Sequence, residues 1–301
     1  MKKNKALKLL CSYKVQFSRT GSLLVTLSRD MVAWDVDSRK KRYRVHPFSH
    51  PSSCAIHPDE TRIVVKNTAG TIALLDAQNG MLVSFLDPEK GNEGSNILYS
   101  FCGKYIVDGS WSGQFTVRSA RSGKVILQKT FPNEMITKIA CSTDGERWFV
   151  VHRPKVTSQD LPAAPAYISV WDWPLVAPAD FLNCPEGGIN SLSVAPDGRT
   201  ICIVGDDSIW VMDLAEKRFV GSFPYNYGGT GFVTNWSPDS LEIATVQENS
   251  FVFYNAATLE RLKTIELQYA SDISYSPDGS LLALGAWASG LLLGRESEST
   301  G

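Results

Sequence analysis

An all-β fold built from seven copies of one four-stranded unit is what this sequence predicts, and three observations predict it. A turn signature recurs seven times, a second column of residues recurs in step with it, and the segments between are short apolar runs of strand length. The signature reads Phe17-Ser-Arg-Thr-Gly21, Ile56-His-Pro-Asp-Glu60, Tyr99-Ser-Phe-Cys-Gly103, Cys141-Ser-Thr-Asp-Gly145, Val194-Ala-Pro-Asp-Gly198, Trp236-Ser-Pro-Asp-Ser240 and Tyr275-Ser-Pro-Asp-Gly279. Pro fixes φ, Asp accepts hydrogen bonds from nearby backbone, and Gly reaches positive φ, so each copy is turn chemistry between two strands.

The spacing makes this a repeat. The signatures start 39, 43, 42, 53, 42 and 39 residues apart, and six gaps define seven units. After each turn comes a run such as Leu23 to Leu27, Arg62 to Val65 or Leu281 to Leu284, apolar and short enough for a buried strand. The second column follows in Val32-Ala-Trp-Asp35, Ala73-Leu-Leu-Asp76, Thr116-Val-Arg-Ser119, Ser169-Val-Trp-Asp172, Trp210-Val-Met-Asp213, Val252-Phe-Tyr-Asn255 and Leu292-Leu-Gly-Arg295. Its third residues, from Trp34 to Gly294, lie 41, 43, 53, 41, 42 and 40 apart, so both columns keep one register.

Units of about 40 to 45 residues with four strands, a Ser-Pro-Asp-Gly-like turn and Trp-Asp resemble WD repeats. The resemblance covers nearly the whole chain. It implies a seven-bladed β-propeller of four-stranded antiparallel blades, with residues 1–301 as one complete domain. Only Trp34-Asp35 and Trp171-Asp172 keep the dipeptide, and no unit has the family's Gly-His pair. The seventh unit has three strands and then ends in Arg295-Glu-Ser-Glu-Ser-Thr-Gly301, while Ala6-Leu-Lys-Leu-Leu10 looks like an outer strand such as Lys124 to Gln128. The N-terminal segment is therefore expected to complete the last blade, since closing the ring removes two unpaired edges. The tail from Glu296 onward is expected to be dispensable.

Bulk properties narrow the function classes. Hydrophobic residues make up 43% and charged residues 20% of the 301, enough apolar surface for a core and too much for disorder. Lys plus Arg number 30 against 31 Asp plus Glu, so no global field favours nucleic acid or anionic membrane. One local basic run, Arg39, Lys40, Lys41, Arg42 and Arg44, crosses a turn into an outer strand, where solvated charge is ordinary. No stretch of about 18 apolar residues occurs, and Met1 to Leu10 has too short an apolar core for a signal peptide. The six cysteines form no close pair; Cys54, Cys141 and Cys202 lie in apolar strands as small hydrophobes, which fits a reducing cytoplasm.

Candidate site residues follow from the loops. Trp34, Trp148, Trp171, Trp173, Trp210 and Trp236 lie in or beside strands and are read as packing. Trp111 and Trp287 sit in the turns between second and third strands, where a structural role and exposure for binding both stay open. The fourth unit owes its 53-residue length to an insert from His152 to Ala166 with three prolines, which disfavour regular structure. The resemblance places this loop on the same face as the blade-to-blade connections, which carry Tyr13, Phe48, Tyr225, Tyr227 and Tyr269. The expected partner-binding set is Trp111, His152, Arg153, Tyr225, Tyr227, Tyr269 and Trp287; the competing reading is that the rings cap strand ends. His57, at the Ser position of its turn, is read as a solvated surface residue. His46 and His50 are four apart, but Pro47 argues against the helix that would make them a metal pair.

The leading function is a non-catalytic protein-interaction module: a scaffold, a subunit of a larger assembly, or a toxin-neutralising binding protein. No cofactor or metal is expected, no membrane or nucleic-acid partner, and a monomer or hetero-complex subunit. The principal alternative is a metal-dependent propeller hydrolase or lactonase with a metal in the central channel, for which Asp108, Asp206, Asp207 and Glu248, in loops on the proposed binding face, are the candidate carboxylates.

Overall fold

The computed structural model describes residues 6–86, 93–155, 165–182, 184, 188–228 and 231–295. Its strands form seven four-stranded antiparallel sheets, the blades of a propeller. In blade 1 the inner strand is Lys14–Phe17, followed by Leu23–Leu27, Met31–Asp35 and the outer strand Lys40–Val45. Blades 2 to 6 repeat this order, starting from inner strands at Pro51–Ile56, Leu98–Tyr99, Glu134–Cys141, Ser191–Val194 and Thr234–Trp236. Blade 7 takes three strands from Ala270–Tyr275, Leu281–Ala286 and Leu291–Gly294. Its fourth is Leu7–Lys8, pairing Leu7 with Leu292 and Lys8 with Leu291. The expected closure by the N-terminal segment is present.

Side-chain alternation assigns each strand face to one neighbouring blade. Leu23, Val25 and Leu27 pack with Ile63 and Val65 of blade 2, while Leu24 joins Ala283 and Leu292 of blade 7. Val64, between Ile63 and Val65, turns instead toward Ile106 of blade 3. Seven apolar clusters result, one at each interface between consecutive blades, including the one joining blade 7 to blade 1. Second and third strands therefore read as continuous apolar runs, being covered on both faces.

The two sequence columns have distinct local causes. In the turn signature the Ser hydroxyl accepts the backbone N–H five residues on, as Ser237 does from Glu242 and Ser276 from Leu281. It donates to the Asp two positions later, at 2.5 Å from Ser237 to Asp239. The last residue has positive φ in all seven copies, including the non-glycines Glu60 and Ser240. The second column marks a β-bulge. In six blades the pairing of third and outer strands slips immediately before the column's third residue: Trp34, Leu75, Arg118, Trp171, Met212 and Tyr254. A bulge adds local twist to the outer half of a blade.

Two sequence expectations need correction. The second strand of blade 4 runs from Arg147 to Pro154, so His152 and Arg153 lie within it and the insert begins later; residues 156–164 lie outside the described residues. His57 is half-buried, because its Nε2 reaches Gly103 O at 2.9 Å and its ring meets Tyr99 edge-on. The basic run lies exposed on the outer strand as expected, and ion pairs of Arg42 with Asp35 and of Arg44 with Asp30 partly neutralise it.

Candidate functional site

The loops between second and third strands meet the blade-to-blade connections at one end of the ring, tied together by backbone bonds. Trp287 N donates to Tyr269 O, Glu248 N to Asn226 O, and Lys155 N to Asn133 O. Side chains continue the lacing: Asn249 accepts the Tyr269 N–H at 2.8 Å, and Lys155 Nζ donates to Ser112 O at 2.8 Å.

Four of the seven sequence-predicted residues offer their rings on this face. Trp111 is 44% exposed, Tyr227 47%, Tyr269 49% and Trp287 51%. Three of them stand on linked loops over blades 6, 7 and 1. Tyr227 stacks on Phe232 at 4.2 Å and Trp287 on Tyr13 at 4.5 Å, with Tyr269 between them through the Asn249 and Trp287 bonds. The Tyr227 and Trp287 rings are each backed by a second ring, so little of their side-chain freedom is left to lose on contact, while Tyr269 is fixed through its main chain only. Trp111 belongs to blade 3 and Arg153 to blade 4, and Arg153 Nη1 is held by Asn190 Oδ1 at 2.6 Å. These two form a separate sector.

His152 and Tyr225 do not present their side chains on the surface. Tyr225 is buried in the cluster between blades 5 and 6, its hydroxyl donating to Gly231 O at 3.0 Å. His152 has no exposed surface; its Nδ1 lies 2.8 Å from Glu134 Oε2 and its Nε2 2.7 Å from Ser169 Oγ. Serine, imidazole and carboxylate stand in the order of a nucleophilic relay, but Ser169 is 1% exposed and its oxygen accepts the Trp171 indole N–H at 2.7 Å. The hydroxyl is thus occupied and shielded from substrate, and the group is a polar brace inside blade 4. Burial pulls the His152 pKa below its ordinary value, against the opposing pull of Glu134, so the neutral imidazole is the braced form. The second column had marked Ser169 and Trp171 in the sequence; nothing in the spacing marked Glu134.

No protein-family model matches this chain. A stretch of 100 residues is 32% identical to the meiotic recombination protein rec14 of Schizosaccharomyces pombe, amounting to 32% of this chain and 33% of that protein. The matching stretch thus spans about a third of the length of that curated relative.

The central channel, a cavity of about 620 Å³, is lined by the inner strands of several blades. Its charged residues are Lys14, Lys138 and Asp272, with Lys14 Nζ 3.8 Å from the Asp272 carboxylate. Burial and the neighbouring Lys14 pull the Lys138 pKa down to about 8. None of the carboxylates proposed for a metal hydrolase lines this cavity. Asp108 is bound instead to the buried Lys66 at 2.6 Å, and Asp206 to Asn190 at 2.8 Å. Among the described residues no group of three His, Cys, Asp or Glu could hold a metal ion. No helix among them is long and apolar enough to cross a membrane.

Proposed function

We propose that the chain is a divergent WD-repeat propeller acting as a non-catalytic interaction module, which engages a protein partner through the aromatic arc of Tyr227, Tyr269 and Trp287. The supporting observation is the arc itself: three exposed rings on linked loops, two of them stacked on a second ring. Aromatic side chains of this kind supply large contact area at small conformational cost and dominate many interfaces. Trp111 and Arg153 form a second contact sector. The reduced cysteines of the apolar strands suit a cytoplasmic setting. A scaffold, an assembly subunit and a toxin-neutralising protein all use such a face, and the likeness to rec14 over a third of each chain carries no process across.

The test starts with a partner identified by affinity purification from the native cell and verified with purified components. Tyr227→Ala, Tyr269→Ala and Trp287→Ala should each weaken that complex by about 2 kcal/mol, with near-wild-type melting temperature. Substitutions in the opposite-face turns, at Arg147 and Arg199, should leave it unchanged. The reverse pattern would place the interface on the other face and remove this reading.

A further inference from the structure

We propose a second docking surface on the outer rim between blades 2 and 3, which takes an extended, apolar, acid-flanked peptide segment as an additional β-strand. Among the described residues the outer strand of blade 2, Leu82–Leu86, pairs on one side only, with the third strand of its blade. Outer strands elsewhere carry charge, Pro or Gly, features that discourage further pairing. Blade 1 has Lys40, Lys41, Arg42 and Arg44; blade 4 has Pro178 and Asp180; blade 5 has Arg218, Gly221 and Pro224; blade 6 has Arg261, Lys263 and Glu266. Among the described strands, that of blade 2 alone has none of these, and Leu82, Val83 and Phe85 are all exposed.

A groove of about 700 Å³ lies beside this edge. Val83 of blade 2 and Ile126 of blade 3 line it together with Leu74 and Tyr99. The corresponding groove between blades 4 and 5 is lined by Asp180 and Lys217, which close it with an ion pair from one blade to the next. In the groove between blades 2 and 3 no ion pair joins the two blades among the described residues, although Asp59 and Arg62 also line it. Its lining also includes Lys104 and Arg121, both exposed and forming no ion pair among the described residues, and Tyr99, whose buried hydroxyl has no hydrogen-bond partner among them. The nearby carboxylates are engaged, Asp59 with Thr61 and His57, and Asp76 with Arg62. A strand laid along the blade 2 edge would satisfy main-chain groups, seat alternate apolar side chains against Val83 and Ile126, and bring terminal carboxylates to Lys104 and Arg121. This surface is separate from the aromatic arc.

The probe is a fluorescein-labelled ten-residue peptide of alternating Val and Thr ending in three Glu, titrated against the full chain by anisotropy. Saturable binding is expected, weakened about tenfold by Val83→Ser and by Ile126→Ser. Lys104→Glu combined with Arg121→Glu should weaken the acidic peptide but not a twin ending in Lys. A version N-methylated at alternate amides should lose binding, because those amides donate to the edge. Absence of binding, equal binding of the N-methylated peptide, or a double variant that weakens the acidic peptide and the Lys-ended twin alike overturns the proposal. So does sedimentation of the wild-type chain as a dimer that Val83→Ser dissolves, which assigns the edge to a second copy. Near-ultraviolet circular dichroism of each variant confirms that a loss of binding is not a loss of fold.

Discussion

His152 shows how one side chain can hold a blade together without touching solvent. Its ring stacks on Tyr167 at 4.5 Å, meets Phe131 edge-on, and links Glu134 of the inner strand to Ser169 and Trp171 of the third. Replacing it with Ala removes packing and leaves buried polar groups unmatched, and the expected loss is about 3 kcal/mol in urea denaturation at pH 7.5. The pH dependence has a definite sign. Burial lowers the folded-state pKa below the ordinary 6.5, so between those two values the unfolded chain binds the extra proton. The contribution of His152 is complete above pH 6.5 and is lost as pH falls through its folded pKa. Wild type should therefore lose stability between pH 7.5 and 5.5 by more than His152→Gln does. Equal losses would show that this imidazole is not the titrating brace.

At the scale of turns and strands, legibility followed locality. The turn signature was readable because its chemistry lies within five residues, and the second column because a bulge recurs at one position per blade. The brace in blade 4 was only half readable: Ser169 and Trp171 belong to the second column, but Glu134 and His152 come from two other strands with no repeated spacing. His57 was misread as solvated because its contacts come from the next blade's turn. The aromatic arc was half legible: the residue types pointed to it, but only the fold separates exposed Tyr227 from buried Tyr225. The turns also yield a paired test. Gly145 and Gly198 both have positive φ, +80° and +71°, but a Cβ on Gly145 would lie 2.2 Å from Phe101 Cβ of blade 3, while one on Gly198 meets nothing within 4 Å. Gly198→Ala should cost about 1 kcal/mol from backbone strain alone. Gly145→Ala adds a clash between blades and should cost at least about twice that. Thermal denaturation of the two variants separates strain from packing, and equal costs would show that the turn of blade 4 yields freely to its neighbour.

For the whole molecule the decisive contact is the one that makes the ring continuous. Each blade presents two apolar faces, so an open array would leave two of them in water, and the interface between blades 7 and 1 is what removes the defect. That interface holds Leu9, fully buried, with Val15, Phe17, Leu24 and Trp34 from one side and Ala283 and Leu292 from the other. Hydrogen bonds fasten the same segment: Leu9 N donates to Gly290 O at 2.8 Å, Ser289 Oγ to Leu9 O at 2.6 Å, and Ser12 N to Ala286 O at 3.0 Å. Further around the seam, Val15 N donates to Asp272 Oδ2 at 2.9 Å and the Ser271 hydroxyl to Tyr13 O at 3.0 Å. A chain starting at Cys11 keeps the contacts of the inner strand but loses Leu7, Lys8 and Leu9. Burying Leu9 alone is worth about 2 kcal/mol, and the third strand of blade 7 becomes an exposed edge facing water and other copies. Deleting Met1 to Leu10 should therefore lower the melting temperature by at least about 5 °C and promote self-association through blade 7. Leu9→Ser in the full chain should reproduce part of the thermal loss without creating the edge, which separates core from closure. An unchanged melting temperature and a monodisperse truncated chain would mean that blades 1 and 7 hold together through their inner strands, with the N-terminal strand adding only cover.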